Sequence, residues 1–394
     1  MKIILAHNYP IGFATGGEGH VFEDEAEILK AHGHEVFKLY CSNSEATNSS
    51  LIGKAKAFLD APWSKKGYGR MAQAIEQFRP DIVHVHNFFL IYSPSIFKAA
   101  CDYKVPSVVT LHNYRMVSPC SQLLRNGKIC ELCVGRNPWR ILLFRCYKNS
   151  FWASLLRYRI YYLSRKFHNW ERYIDAFIAL TDFGKSKLVQ SGMEARKISI
   201  VPNCAIDALK EAPLSPPGKY ALFIGRLSQE KGLEGLLEAW QEIDYPLIVI
   251  GEGELRTRME SIAPDNVKFA GPQNGEAIVE FLKGSSFVVM PSICYEGLPL
   301  VAVEAMAIGR AIAASGHGAL ASVIEDNVTG LHFKPGDIKD MRKIIGRLIS
   351  EKQSTQKMGE NARKRYLSLY TPEKHYEALM KTYKKAICGK ATQS

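Results

Sequence analysis

The chain has 394 residues, of which 46% are hydrophobic and 23% are charged, and its formal net charge is +12. This length favours two domains over one, and the composition leaves no room for a long disordered region. The positive charge predicts anionic partners, which include nucleic acid, lipid headgroups and phosphorylated substrates. Nine cysteines, an odd number, argue against a disulfide framework and favour free thiols or a metal site.

The first half of the chain alternates short β-branched runs with longer segments of helical periodicity. The opening apolar run is too short for a signal peptide, and no stretch approaches the roughly 20 apolar residues that span a bilayer. We therefore expect a cytoplasmic protein. Continuous apolar strands between helices predict a parallel sheet covered on both faces. The predicted strands are Lys2–Ala6, Glu35–Tyr40, Asp81–Val85, Ser107–Leu111, Ala176–Leu180 and Ile198–Val201.

A segment rich in proline and glycine, residues 206–219, has the composition of a linker. The alternation then restarts, which predicts a second doubly wound α/β domain. Its predicted strands are Tyr220–Ile224, Pro246–Ile250, Asn266–Phe269, Ser286–Met290, Arg310–Ala314 and Gly330–Phe333. We place the first domain at 1–205, the second at 220–370, and a last helix at 371–394 that packs back on the first domain.

A strand-to-helix loop at the start of the second domain carries glycine and two cations. Gly225, Arg226 and Lys231 lie in the sequence FIGRLSQEKG, residues 223–232. Backbone N–H groups and a helix N-terminus in such a loop favour anions, so the two cations are candidates to clamp a diphosphate. The alternative is a surface loop with two solvated cations.

A later segment, residues 291–307, places two glutamates in different settings. Glu304 lies in a predicted helix that is apolar all round, and such helices are buried. A buried carboxylate needs a partner, which ribose hydroxyls or an internal salt bridge would both supply. Glu296 lies in the loop before Pro299, where backbone N–H groups at the helix start face outward.

Together these segments resemble glycosyltransferase family 4. Two glutamates separated by seven residues, Glu296 and Glu304, follow a Gly-Arg-Leu-x-x-x-Lys-Gly loop. Further matching motifs run along nearly the whole chain: Gly16-Gly17, Thr110-Leu111-His112, Val201-Pro202-Asn203, Gly251-Glu252-Gly253 and Asp326-Asn327-Val328-Thr329-Gly330-Leu331. The resemblance implies the GT-B fold, an α/β architecture of two Rossmann-like doubly wound domains facing a central cleft. It also implies retention of anomeric configuration.

The resemblance also implies residue roles. The donor diphosphate would lie on Arg226 and Lys231, the ribose on Glu304, and the transferred sugar on Glu296 and the backbone after it. His112 would lie near the reacting sugar, although a loop histidine without a catalytic role is the alternative. The implied catalytic set is His112, Arg226, Lys231 and Glu296. The implied donor-binding set is Gly16, Gly17, Gly225, Arg226, Lys231, Gly297, Leu298, Leu300 and Glu304.

One departure from the family pattern is Asn113, which follows His112 where many relatives have Asp. The sequence also lacks an Asp-x-Asp pair, so we expect catalysis without a metal or other cofactor. Fixed cations and helix-terminal amides would stabilise the departing nucleoside diphosphate.

We therefore expect a retaining hexosyl- or related glycosyltransferase that uses a UDP-sugar, or else a GDP-sugar. The acceptor would be a glycan or a lipid-linked molecule in cell-surface polysaccharide or glycolipid synthesis. Two other classes remain open: a sugar-nucleotide epimerase of the same fold, and a basic nucleic-acid-binding protein with salt-steep DNA affinity. The favoured class has no nucleic-acid partner.

An insertion at about 113–150 contains four cysteines, Cys120, Cys130, Cys133 and Cys146. The Cys130-x-x-Cys133 pair has metal-ligand spacing, which predicts a structural zinc in this insertion. Four unpaired thiols are the alternative, because the outer spacings fit no standard finger.

Residues 136–172 combine cations and aromatic side chains with a single acid, Glu171. Such a mixture is suited to an anionic membrane surface, so we expect peripheral docking on the cytoplasmic face and a lipid-linked acceptor. The alternative is that the aromatic side chains are core and the cations form a solvated face. The cations are Arg136, Arg140, Arg145, Lys148, Arg157, Arg159, Arg165, Lys166 and Arg172.

Overall fold

The computed structural model describes residues 1–10, 16–47, 59–147, 149–168, 170–210 and 212–391. The chain forms two compact units. Unit 1 comprises Met1–Ser121, Glu131–Val201 and Tyr376–Ser394, and unit 2 comprises Gln122–Cys130 and Pro202–His375. The division at Val201 and Pro202 falls a few residues before the predicted boundary at 205.

Unit 1 is built on a six-stranded parallel sheet. Each predicted strand of this half is present, and the first three extend two residues or so further toward the carboxyl edge. The strands are β1 (Lys2–Tyr9), β2 (Glu35–Ser42), β3 (Ile82–Asn87), β4 (Ser107–Leu111), β7 (Ala176–Ala179) and β8 (Ile198–Ile200). Their order across the sheet is β2-β1-β3-β4-β7-β8, with every pair parallel.

Helices connect these strands. They are α1 (Gly17–Ala31), α2 (Ser44–Thr47), α3 (Lys65–Phe78), α4 (Ser95–Asp102), α5 (Arg140–Leu143), α6 (Phe151–His168) and α7 (Asp182–Gln190). Short 3-10 turns occur at Tyr114–Met116, Trp170–Tyr173 and Ala195–Lys197. Within the described part of the chain, no helix combines the length and the apolar character that crossing a bilayer requires.

Unit 2 repeats the parallel arrangement. Its strands are β9 (Tyr220–Ile224), β10 (Leu247–Ile250), β11 (Val267–Gly271), β12 (Ser285–Met290), β13 (Ala311–Ser315) and β14 (Gly330–Phe333), in the order β11-β10-β9-β12-β13-β14. A hairpin that the sequence reasoning missed, β5 (Leu124–Arg125) with β6 (Lys128–Ile129), also belongs to this unit. The helices are α8 (Leu233–Trp240), α9 (Arg256–Ile262), α10 (Gly275–Gly284), α11 (Leu300–Ala307), α12 (Gly318–Val323), α13 (Ile338–Ser350) and α14 (Lys352–Leu369), and a 3-10 turn spans Gln229–Lys231.

The last helix, α15 (Pro372–Ala391), begins at the predicted proline, and Thr371 Oγ1 accepts a hydrogen bond from Lys374 N–H at 3.3 Å. From Tyr376 onward the helix belongs to unit 1. Leu379 and Tyr383 lie fully buried in the core of that unit, against strands β1 and β3. This burial of the apolar face is the reason the terminal segment is a long helix.

The topology of each sheet marks one crevice. Strand order reverses between β1 and β3 in unit 1 and between β9 and β12 in unit 2. In open parallel sheets, ligands bind beyond the carboxyl ends of the strands at such a reversal. The loops that follow β1, β3, β9 and β12 are therefore the places to look for function.

Candidate active site

In unit 2, two predicted residues meet directly at the reversal point. Lys231, from the turn after β9, donates a hydrogen bond to Glu296 Oε1 at 2.7 Å, and Glu296 lies in the loop after β12. Ser292 Oγ donates to the same oxygen at 2.6 Å. The two loops are thus joined by a charged pair at the mouth of the sheet.

The pair is ionised because each charge stabilises the other. Burial by itself raises the pKa of Glu296, but the Lys231 ammonium and the hydrogen bonds from Lys231 and Ser292 outweigh it, so the pKa lies below its ordinary value. Burial by itself lowers the pKa of Lys231, but the charge of Glu296 and its hydrogen bond outweigh burial, so the pKa of Lys231 lies above its ordinary value. Burial lowers the pKa of neighbouring His317, whose Nε2 lies 3.0 Å from the Ser292 carbonyl oxygen, so this imidazole is neutral at neutral pH.

Close backbone packing holds these loops in place. Gly232, directly after Lys231, has a φ of 71°, and a Cβ there would lie 2.0 Å from the carbonyl oxygen of Pro291. Ile293 N–H donates to the Glu230 carbonyl at 3.0 Å. Only glycine permits both the left-handed backbone and this approach, which explains the Lys-Gly order of the loop.

Glu304 corrects one expectation. It lies on α11 as predicted, but with Leu300 and Val301 it forms a half-buried face, whereas Ala302, Val303, Ala305 and Met306 are buried. The helix is apolar in sequence yet packs on one side only. The carboxylate is therefore not fully buried, and this face is open to a ligand.

The remaining predicted residues of unit 2 lie in the same two segments, after β9 and after β12. Arg226 is exposed, and its side chain makes no hydrogen bond or ion pair with any described residue. Gly225 continues β9 and donates its N–H to the Ile250 carbonyl at 3.0 Å. Leu298 is buried, and its carbonyl accepts from Asn203 Nδ2 at 3.1 Å. Gly297 and Leu298 lead into Leu300, the first residue of α11.

In unit 1, Gly16 and Gly17 form the start of α1, with Gly16 as the N-cap. Residues 11–15, which precede them, lie outside the described residues. The hydrogen bonds of Asn113 explain why this chain has Asn where many relatives have Asp. Its Nδ2 donates to Glu18 Oε1 at 2.8 Å, and its Oδ1 accepts from Arg115 N–H at 3.0 Å. An ionised aspartate could accept the second bond but could not donate the first.

His112 belongs to a buried chain of hydrogen bonds that the sequence reasoning missed. His86 Nδ1 lies 3.1 Å from His112 Nε2, and His86 Nε2 lies 3.2 Å from Glu25 Oε1. The same carboxylate oxygen lies 2.7 Å from His84 Nδ1. His84 also contacts the Tyr383 hydroxyl and the Thr110 hydroxyl, each at 2.8 Å.

These hydrogen bonds determine which nitrogens of His86 and His112 carry a proton. An ionised Glu25 accepts a hydrogen bond from the Nε2–H of His86, which leaves His86 Nδ1 as an acceptor for the Nε2–H of His112. His112 then keeps an unprotonated Nδ1, which can accept a hydrogen bond from a hydroxyl group. Glu25 acts on His112 through His86, as second partners of functional imidazoles commonly do.

His7, at the carboxyl end of β1, is a further member of this region. Burial lowers its pKa to about 3, so His7 is neutral at neutral pH. Its Nδ1 is buried with no hydrogen-bond partner among the described residues. A usable sequence signal existed: His7, His84 and His86 are polar residues in otherwise apolar buried strands, and the last two share one face of β3.

Possible metal ligands lie close together at one place in unit 1. Among the described residues, Glu25, His84 and His86 form the one group of possible ligands whose atoms lie within 4.8 Å of one another. These atoms already bond one another, Tyr383 and Thr110. No disulfide joins any of the nine cysteines, all of which lie among the described residues, and Cys120, Cys133 and Cys146, which share unit 1, do not form such a group. The zinc site stays a prediction.

The basic aromatic segment divides into exposed and buried parts. Trp139, Leu143, Phe144, Phe151 and Trp152 are 40% to 75% exposed, and Arg136 and Arg145 are exposed beside them in sequence. Ile141 and Ile160 are buried. Lys148 lies outside the described residues, as do the side chains of Lys166 and Trp170. The alternative, that the aromatic side chains are core, therefore does not hold for Trp139, Phe144, Phe151 and Trp152.

Comparison with known proteins agrees with this architecture. Residues 15–207 match the family model "Glycosyltransferase Family 4", and residues 206–365 match "Glycosyl transferases group 1". Sucrose-phosphate synthase from Thermosynechococcus elongatus has the same fold, with a TM-score of 0.73, 17% identity and coverage of 98% of this chain and 100% of that one. The Anabaena protein HepE in complex with UDP has a TM-score of 0.65 at 17% identity, with 97% and 99% covered. The predicted GT-B fold is confirmed.

Curated relatives match over shorter stretches. The lipopolysaccharide 1,2-N-acetylglucosaminetransferase of Salmonella typhimurium is 27% identical over 223 residues, which cover 48% of this chain and 58% of that protein. The alpha-D-kanosaminyltransferase of Streptomyces kanamyceticus is 30% identical over 151 residues, 36% and 39% of the two chains. The chain thus spans about half the length of the curated relatives it matches. With both family models matched in sequence order and the GT-B fold present, the chain belongs to glycosyltransferase family 4.

Proposed function

We propose that this protein transfers a sugar, with retention of configuration, from a nucleotide diphosphate sugar to a glycan or lipid-linked acceptor. The observation that carries the proposal is the Lys231–Glu296 pair at the strand-order reversal of unit 2. A diphosphate arriving at this loop would exchange Glu296 for phosphate oxygens as the partner of Lys231, with exposed Arg226 as the second cation. The freed carboxylate would then accept hydrogen bonds from the sugar.

The donor is proposed to be a UDP-sugar first and a GDP-sugar second. Support comes from the solved relatives, since HepE was determined with UDP and with UDP-glucose. Glu304, which is half-buried in the middle of α11, offers a carboxylate for ribose hydroxyls. The phosphate charge would be stabilised by Lys231, Arg226 and the amides at the start of α11, so we propose that the reaction needs no metal.

Polysaccharide or lipopolysaccharide synthesis is the proposed setting. The relatives named above include a lipopolysaccharide enzyme, and another is an amylovoran biosynthesis glycosyltransferase of Erwinia amylovora. His112, whose tautomer Glu25 sets through His86, would accept a hydrogen bond from a sugar hydroxyl at the reacting centre. The acceptor would bind to unit 1.

The test begins with thermal unfolding in the presence of UDP, GDP and other nucleotides. A ligand that binds the native state raises the unfolding temperature with occupancy, and UDP should give the largest shift. Lys231→Ala should abolish that shift, whereas Lys283→Ala, at a surface ion pair of the same unit, should keep it. Absence of a shift with every nucleotide would refute donor binding.

Product analysis tests the reaction itself. With donor and an acceptor extract, NMR of the new glycosidic bond should show the donor's anomeric configuration, and EDTA should leave the rate unchanged. Release of free sugar or an epimer without acceptor would favour the epimerase. Salt-steep DNA binding without turnover would favour the nucleic-acid-binding class.

We also propose peripheral docking on an anionic, cytoplasmic membrane face through the exposed patch defined by Trp139, Leu143, Phe144, Phe151 and Trp152. Each cation near such a surface contributes about 1 kcal/mol, or roughly fivefold in affinity. In vesicle co-sedimentation, Arg136→Glu with Arg145→Glu should weaken binding to anionic vesicles, as should Trp152→Ser. Arg196→Glu is the matched control, because this cation is also exposed in unit 1. Equal binding by all variants would contradict the proposal.

A further inference from the structure

A narrow cavity that opens to solvent lies within unit 1: its interior admits water over only about 20 Å³, and the empty space amounts to about 360 Å³ when the mouth is included. Phe88 and Phe89 come directly after β3, and Arg115 and Met116 lie in the 3-10 turn after β4. The cavity therefore adjoins the carboxyl ends of β3, which carries His86, and of β4, which His112 follows. Its third wall is α6, which contributes Arg157, Ile160, Tyr161 and Arg165. Apart from the guanidinium groups and one phenol, the lining side chains are apolar.

Two of the arginines have no acidic partner among the described residues. The Arg115 guanidinium lies over the Phe89 ring, 4.4 Å from its centroid, and its Nε is buried without a hydrogen bond to any described residue. Arg157 donates to the Tyr147 hydroxyl at 2.9 Å and forms no ion pair with the described part of the chain. Arg165 differs, because it is paired with Glu171 at 2.7 Å.

This arrangement is unfavourable in the empty protein. Burial lowers the pKa of Arg115 to about 10, and repulsion by Arg157 adds to the effect while the Glu18 carboxylate opposes it, so Arg115 stays cationic at neutral pH. An anion held directly between the two guanidinium groups would relieve their repulsion at this apolar wall. Guanidinium groups match phosphate oxygens in a bidentate geometry, and the aromatic and aliphatic wall suits carbon chains.

We propose that the mouth of this cavity binds the phosphate or diphosphate head of an acceptor carried on an apolar chain, with Arg115 and Arg157 on the phosphate and Phe89 and Ile160 on the first carbons. The proposal rests on the proposed function and specifies the acceptor class of unit 1. The exposed side chains Phe151 and Trp152 begin the same helix that lines the cavity, and Trp152 precedes Ile160 by about 12 Å along the helix axis. The apolar chain would leave the cavity toward that exposed patch.

Calorimetric titration of the full chain with simple amphiphiles tests the site. The probes are butyl, hexyl and octyl phosphate, inorganic phosphate, and octyl glucoside as an uncharged amphiphile. We expect octyl phosphate to bind at least tenfold more tightly than either inorganic phosphate or octyl glucoside. Each methylene that the apolar wall covers should raise affinity about fourfold, until further carbons extend beyond the wall.

Arg115→Gln and Arg157→Gln should each weaken octyl phosphate binding by about 10- to 100-fold, since each removes a charged hydrogen bond to the ligand. Arg159→Gln is the matched control: it lies on the same helix, does not line the cavity, and reaches the Leu59 carbonyl at 3.5 Å. Arg115→Gln without ligand should unfold at the same or a higher temperature, because it removes a buried, unpaired charge. A purely structural arginine would give a lower unfolding temperature.

Three results would overturn the proposal. Inorganic phosphate binding as tightly as octyl phosphate would identify a free-phosphate site. Octyl glucoside binding equally well would identify a neutral apolar site, and equal affinity in the Arg115, Arg157 and Arg159 variants would remove the arginines from it. These titrations need no nucleotide sugar and no turnover. Octyl phosphate can therefore bind even if no nucleotide does, and a nucleotide can bind even if octyl phosphate does not.

Discussion

The ion pair between Lys231 and Glu296 yields a quantitative prediction for Lys231→Met. The substitution keeps most of the side-chain volume and removes the cation that holds the pKa of Glu296 low. The side chains are 27% and 13% exposed, so water screens the pair only in part. Removing one partner of a fully buried pair costs about 3–5 kcal/mol, and we expect about 2 kcal/mol here at pH 7 because part of Lys231 contacts solvent.

The loss should depend on pH. The pKa of Glu296 in the native protein lies below its ordinary value of 4.5, so the pair stabilises the fold above that pH and its contribution is lost as the pH falls through the native pKa. In Lys231→Met the remaining effect of burial raises the pKa of Glu296. The variant's carboxyl then takes up a proton at mildly acidic pH, and the deficit relative to the parent shrinks.

Urea denaturation at pH 7 and pH 5 measures both effects, with Trp240 in the core of unit 2 as the fluorophore after the other four tryptophans are replaced by Phe. Glu296→Gln added to Lys231→Met should recover most of the loss, because Gln needs no counter-charge. The control Lys283→Met breaks an exposed pair with Glu280 and should cost under about 0.5 kcal/mol. A Lys231→Met deficit below about 0.5 kcal/mol, or one that is the same at both pH values, would refute the reasoning.

Three further predictions concern other parts of the chain. Gly232→Ala should destabilise unit 2 by about 2 kcal/mol or more, because the new Cβ would lie 2.0 Å from the Pro291 oxygen at a φ of 71°. The control is Gly235→Ala in α8, where a Cβ has no atom within 4 Å. This change should be neutral or stabilising in the same denaturation assay. Glu25→Gln should lower kcat roughly tenfold or more with the donor KM nearly unchanged, since it acts on His112 through His86; an equal change in donor KM would contradict this positioning role. Elemental analysis of protein purified without chelator tests the zinc at Cys120, Cys130, Cys133 and Cys146, and the absence of stoichiometric zinc would end that prediction.

Local sequence patterns were sufficient to predict the strands of both parallel sheets. All twelve strands of the two parallel sheets were predicted, because continuous β-branched runs between helical segments are a property of a few consecutive residues. The place of the proposed donor site was suggested by the sequence, since Gly225, Arg226, Lys231 and Glu296 lie in strand-end segments that carry family motifs; its role stays a prediction. Only the tertiary structure showed that Lys231 and Glu296 touch, because 65 residues separate them.

Side-chain exposure and long-range partners were not readable from the sequence. The apolar composition of α11 predicted a buried Glu304, yet packing covers only one side of that helix and leaves the glutamate half-exposed. The hydrogen bonds from Glu25 through His86 to His112 join α1, β3 and the segment directly after β4. The cavity lined by Arg115, Arg157 and Arg165 joins the segments after β3 and β4 to α6. Periodicity along the chain determines which face of an element is apolar, but the partner of a buried charge is chosen by residues that only folding brings together.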